Sequence, residues 1–122
     1  MVLFVAAGAG LGFLAVALGA FGAHALKERL EGSGQQPAFD TAVRYQLAHA
    51  VVLLVLPQIL AGRGAASDWA GWLLLGGTVV FSGALYVRAI ADRRSWGTVA
   101  PVGGLALLAG WALLLVAAVA QR

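Results

Sequence analysis

An all-α integral membrane protein, a four-helix bundle running up-down-up-down, is predicted by three observations. Hydrophobic residues make up 61% of the chain and charged residues only 11%. The apolar residues gather in four runs of about 20 residues, the length that crosses a bilayer core. The connections between those runs are short, so neighbouring helices must be antiparallel. A soluble domain carries roughly 25% charged residues and about 45–50% apolar ones. Eight basic and five acidic side chains could not cover a water-soluble globule of 122 residues, and the mean hydropathy of +0.90 agrees.

The spans are expected at residues 2–26, 39–61, 69–91 and 98–120, forming one transmembrane domain over 1–122. The first is interrupted only by His24. Ala23-His24-Ala25 has the small-x-small form of a signal cleavage site, but the run is too long and no basic segment precedes it, so it reads as a retained span. Lys27-Glu28-Arg29-Leu30-Glu31 followed by Gly32-Ser33-Gly34 and Pro37 reads as a charged helix end entering a flexible loop. In the second span Pro57 frees the Leu53 carbonyl and is a candidate kink. Asp68 is the expected N-cap of the third span and Thr98 of the fourth, with Pro101 tolerated in its first turn. Trp69, Trp72 and Trp96 fall near interfaces, where amphipathic rings prefer to sit, whereas Trp111 falls near mid-span.

The chain has no cysteine, which excludes disulfides and thiol chemistry. The pI near 10.2 suggests nucleic acid, yet the net charge is only +3 and no basic stripe exists, so no nucleic-acid partner is expected. Lys27, Arg29, Arg93 and Arg94 follow spans one and three, against Arg63 and Arg122 on the opposite side. This asymmetry places loops one and three in the cytoplasm and both termini outside. A reporter that fluoresces only in the cytoplasm, fused after Arg122, should therefore stay dark; a bright fusion would reverse the assignment.

Small residues mark the packing faces. Gly8, Gly12, Ala15, Gly19 and Gly22 form one stripe on span one, and Gly103, Gly104, Ala106, Gly110 and Ala117 line span four. Span three adds Gly76, Gly77 and Gly83. Without a hydrophobic force between helices in lipid, such stripes allow close backbone approach. They read as packing within one protomer, the alternative being a dimer seam. Gly8-x-Gly10-x-Gly12 is helix packing and not a nucleotide fingerprint, since no strand precedes it.

The polar residues gather at the end facing loops one and three. His24, Arg44, Tyr45, Gln46, His49, Ser82 and Tyr86 are the candidate site, a polar vestibule; Asp40, Thr41, Arg88 and Thr98 lie in the same half. Asp40 and Arg44 are spaced to pair. His49 lies about 15 Å along the helix from Phe39, and Tyr86, Ser82 or a water are its expected partners. Such a cluster is either a hydrogen-bonded lock between helices or a ligand site. His24 and His49 are offset by several turns, which disfavours an axial haem pair, and the cluster offers too few donors for zinc. No Ser-His-Asp arrangement or phosphate loop is present, so no metal, cofactor or catalytic residue is expected, and the chain reads as a non-enzyme. The leading expectation is an oligomeric or accessory membrane module whose partners are the lipid bilayer, further copies or a larger membrane complex. The alternative is a bundle that binds or transports a small amphiphile, lipid or quinone.

Four ordered motifs resemble a known family. Gly19-Ala20-Phe21-Gly22-Ala23-His24 resembles the first-span signature of the bacterial membrane proteins called domain-of-unknown-function family 423. Arg44-Tyr45-Gln46 with His49-Ala50, then Phe81-Ser82-Gly83-Ala84-Leu85-Tyr86, then Pro101-Val102-Gly103-Gly104 with Gly110-Trp111, are similar to its second, third and fourth motifs. Ala84 stands where a second serine is common and Ala100 where a threonine commonly precedes the proline, so any site using those hydroxyls is reduced here. The resemblance implies a four-span inner-membrane protein of unassigned biochemical role.

Overall fold

The computed structural model describes residues 2–61 and 64–120. Four helices in it are long and apolar enough to cross a membrane. They are α1 (Val2–Ala23), α3 (Gln36–Ile59), α4 (Ala65–Ile90) and α5 (Ala100–Ala120), with a short α2 (Lys27–Ser33) after the first and a 3₁₀ turn (Arg94–Thr98) before the last. The 22 residues of α1 reach about 33 Å at 1.5 Å per residue, which matches a bilayer core of about 30 Å. Arg63 and Arg122, which entered the charge comparison, lie outside the described residues.

The first span stops at Ala23, three residues short of the expected 26, and the charged stretch forms a helix of its own. At the stop, the Leu26 amide reaches back to the Phe21 carbonyl at 2.8 Å, which breaks the regular ladder. Leu30 on α2 is buried against Phe39 of α3 and Ala89 of α4. Arg29 Nη2 donates to the Ile90 carbonyl at 2.5 Å, capping α4, and Arg94 Nη2 donates to the Ser33 carbonyl at 3.3 Å. What reads as a flexible loop is thus a short interfacial helix pinned across the ends of α3 and α4.

Gly34 ends α2 in the left-handed region, at φ 73°. Its amide bonds Glu31 at 3.2 Å and the next amide, of Gln35, bonds Leu30 at 2.9 Å, the two bonds of a Schellman motif. That turn delivers the chain directly into α3, which starts at Gln36, ahead of the expected 39, with Pro37 in its first turn. Pro57 lies inside α3, which continues to Ile59. Asp68 is not an N-cap: α4 begins at Ala65, and Asp68 sits in its first turn, where the helix dipole favours an acid. Thr98 does not cap α5 either, because its hydroxyl donates to the Ser95 carbonyl at 2.7 Å within the 3₁₀ turn.

Helices α3 and α4 pack together in the middle, with α1 chiefly on α3 and α5 chiefly on α4. Phe4, Leu53, Leu56, Leu60, Leu74 and Leu107 fill one end of the core. The other end is built on Ala42, Ala84, Leu85 and Ala100 and on the cluster of Leu30, Phe39 and Ala89. Glycines set the helix spacing. A Cβ added at Gly8 would stand 2.8 Å from the Ala50 carbonyl oxygen, and one at Gly77 would stand 2.9 Å from the Leu107 amide nitrogen. Gly22 accepts the ring of Phe39, and Gly110 the side chain of Leu74. Gly12, Gly19 and Gly104 face neighbours at ordinary distance, 3.8, 3.5 and 3.7 Å from Ala50, Val43 and Phe81. Span three departs from the expected pattern: of the three glycines expected to pack, Gly77 does, while a Cβ at Gly76 or Gly83 meets nothing within 4 Å, and Gly71, which was not among them, accepts the ring of Phe4.

Candidate functional site

Gln46 is the hub of the polar end. It is 3% exposed, on the face of α3 that turns toward both α1 and α4. Its Nε2 donates to the Leu11 carbonyl of α1 at 2.8 Å, and its Oε1 accepts the Tyr86 hydroxyl of α4 at 2.6 Å. One side chain thereby ties three helices. Ser82 adds a second tie between α4 and α3, donating to the Ala42 carbonyl at 2.8 Å.

His49, three residues on and about 60° around α3 from Gln46, turns toward α5. Its Nδ1 lies 2.7 Å from the Tyr45 carbonyl one turn earlier, and Trp111 Nε1 of α5 lies 3.0 Å from its Nε2. An indole nitrogen only donates, so Nε2 must be the acceptor and the ring proton sits on Nδ1, given to the Tyr45 carbonyl. The expected partners, Tyr86 and Ser82, are both engaged elsewhere. The partner is the one polar group of an otherwise apolar helix face, and its ring meets His49 edge-on at 5.8 Å.

The seven vestibule candidates therefore divide. Gln46, His49, Ser82 and Tyr86 turn inward and bond to neighbouring helices. Tyr45 sits at the edge, with its ring 4.6 Å from that of Phe81 and its hydroxyl unbonded among the described residues. His24 and Arg44 are exposed and stand apart from the cluster. The reason is angular: Arg44 precedes Gln46 by two residues, or 200° around α3, and His24 follows the last turn of α1. Asp40 does not pair with Arg44; it accepts Gln36 Nε2 at 2.9 Å.

Three residues outside the vestibule carry unmet polar groups among the described residues; one is Gln36, whose Oε1 is buried and unbonded while its Nε2 donates to Asp40. Gln35 is 1% exposed, and neither its Oε1 nor its Nε2 has a partner. The Nε of Arg88 is also buried and unbonded. Both line a cleft of about 340 Å³ with Thr41, Phe81 and Leu85. A second cleft, of about 550 Å³, opens between α3 and α5 beside Tyr45, His49, Phe81, Leu105, Leu108 and Trp111. In sequence Gln35 is one polar residue in a glycine-rich stretch, and only the Schellman turn carries it inside.

A family profile described as "Protein of unknown function (DUF423)" matches residues 18–104. The chain belongs to the DUF423 family. Its relatives include a UPF0382 membrane protein of Staphylococcus haemolyticus, 39% identical over 95% of this chain and 94% of the relative. Another, from Staphylococcus epidermidis, is 38% identical over 96% of this chain and 95% of the relative. The UPF0382 inner membrane protein YgdD of Escherichia coli K12 is 44% identical over 88% of this chain and 82% of the relative. No solved structure matches. The DUF423 match takes in Gln35, Gln46, His49, Ser82, Tyr86 and Arg88, while Trp111 lies beyond it. This DUF423 protein is thus an integral membrane helical bundle whose mid-span polar groups bond helix to helix.

Proposed function

We propose that the protein is a non-enzymatic module of the bacterial inner membrane, with loops one and three in the cytoplasm, that works by associating with further copies of itself. The groups best suited to acid–base work, His49 and Tyr86, are committed to Trp111 and Gln46, which supports a structural role for the cluster. The observation that carries self-association is on α4. Gly76 and Gly83 lie two turns apart on one face, and a Cβ at either meets nothing within 4 Å. Glycine weakens a helix where nothing approaches it, and in membranes small residues favour close contact with another helix. A second copy supplies that helix.

Native mass spectrometry in a gentle detergent tests this. Wild type should appear as an oligomer, and a Gly76→Leu/Gly83→Leu variant as a monomer with an unchanged unfolding midpoint. A strictly monomeric wild type with no copurifying partner would sink the reading.

The cleft of about 550 Å³ between α3 and α5 favours a second reading, in which the bundle holds an amphiphile whose chain lies along Phe81, Leu105, Leu108 and Trp111. The same spectra read it: a lipid adduct retained by wild type and shed by Leu108→Trp supports it, and a lipid-free spectrum counts against it.

A further inference from the structure

We propose that the end of the bundle carrying α2 and the 3₁₀ turn contains a binding site for a phosphate oxyanion, the head group of an anionic phospholipid. Four features of the cleft of about 340 Å³ converge on this chemistry. Gln35 lines it at 1% exposure with both amide atoms unbonded. Buried polar groups in native proteins nearly always have partners, so a donor and an acceptor held free inside a cleft call for a ligand with polar atoms. Arg88 lines the same cleft, half-buried, with Nε buried and unbonded, and no acid pairs with it among the described residues. Its guanidinium is held along the 3₁₀ turn, since a Cβ at Gly97 would stand 3.2 Å from Nη1. An arginine fork matches phosphate oxygens two at a time.

The third feature is the start of α3. Gln35 is its N-cap and makes no side-chain capping bond. The first turn of this 24-residue helix lines the cleft through Pro37 and Ala38; Pro37 has no N–H and the Gly34 amide is held by Glu31, so the positive end of the dipole is offered there by the Ala38 amide. The Thr41 hydroxyl lies one turn further in on the same wall. The fourth is charge: none of the residues lining the cleft is acidic.

Phe81 identifies the source as a lipid, because it lines this cleft and the apolar cleft between α3 and α5 alike. A head group at Arg88 and Gln35 can thus continue into a chain along Leu105 and Leu108. The inference extends the amphiphile reading by naming its head group, and it does not depend on self-association. A single anionic charge with neighbouring hydroxyls, as in phosphatidylglycerol, suits one guanidinium and one amide.

The test uses the full chain, delipidated in a neutral detergent and offered dioleoylphosphatidylglycerol, dioleoylphosphatidylcholine or inorganic phosphate. Wild type should bind phosphatidylglycerol about tenfold more tightly than phosphatidylcholine, and Arg88→Gln should remove that preference. Lys27→Gln, an exposed charge change on α2, should keep it. Gln35→Leu should raise the lipid-free unfolding midpoint, because it removes two unmet polar atoms, and should still weaken phosphatidylglycerol binding. If Arg88→Gln fails to fold, Gln35→Leu decides. An Arg88-dependent stabilisation by inorganic phosphate alone keeps the oxyanion site but makes the ligand a free phosphate, and the groove reading then fails separately. A preference that survives in Arg88→Gln and Gln35→Leu, or that Lys27→Gln loses equally, overturns the site.

Discussion

Gly103→Ala is expected to destabilise the bundle by about 3 kcal/mol, the upper range for forcing an extra methyl into packed surroundings. The added Cβ would press on the Phe81 amide nitrogen and stand 2.8 Å from both the Gly77 carbonyl oxygen and the Phe81 Cα. All three are backbone atoms of α4, so no side-chain rotation relieves the clash; the helices themselves must separate. Separation is costly here because α4 and α5 hold together by close contact and not by a hydrophobic force. Gly104→Ala is the internal control: its Cβ would meet the Phe81 ring at 3.7 Å, an ordinary distance, so the change should stay within about 0.5 kcal/mol. The measurement is unfolding in mixed micelles across a denaturing-detergent titration. Equal midpoints for the two variants would mean that α4 and α5 do not approach as closely as described.

The same pair shows how far the sequence could be read. The apolar runs and their short connections dictate four antiparallel spans, because a bilayer leaves few alternatives. The glycine rows of α1 and α5 mark faces that pack. Yet Gly103 and Gly104 look equivalent in sequence, as do Gly77 and its neighbour Gly76. Which of each pair touches backbone depends on the rotation of one helix against another, and no local pattern carries that angle. The end of α1 was hidden for a related reason. Lys27–Ser33 becomes a helix only because Leu30 finds Phe39 and Ala89, and Arg29 finds the Ile90 carbonyl, residues far along the chain.

The polar end was visible as a cluster and not as an arrangement. Depth along each span brings Gln46, His49, Ser82 and Tyr86 to one end, since antiparallel helices of known length fix depth, and in the structure each bonds to a neighbouring helix. Arg44 and His24 share that depth but are exposed, because direction around the helix or past its end turns them away from the other four. Depth missed the bond between Trp111 and His49, which joins residues 62 apart, and the burial of Gln35, which hinges on the left-handed glycine before it. Depth is a sequence property of a membrane protein; azimuth and turn geometry are set by packing.

Gln46→Leu is expected to cost about 2 kcal/mol and to do so mainly through what it leaves behind. Individual hydrogen bonds between membrane helices are worth about 0.6 kcal/mol on average, so losing those to Leu11 and Tyr86 accounts for roughly half. The rest comes from the Tyr86 hydroxyl, which is left in the bundle without an acceptor, and an unsatisfied buried group costs about 1–3 kcal/mol. Gln46→Leu/Tyr86→Phe removes that orphan and should therefore be no less stable than Gln46→Leu alone, although it carries one more substitution. Such non-additivity is the signature of side chains that touch. The same titration gives all three midpoints. Additive losses, or a Gln46→Leu midpoint equal to wild type, would mean that Gln46 is not the tie between α1, α3 and α4, and would return its amide to the pool of groups free to meet a ligand.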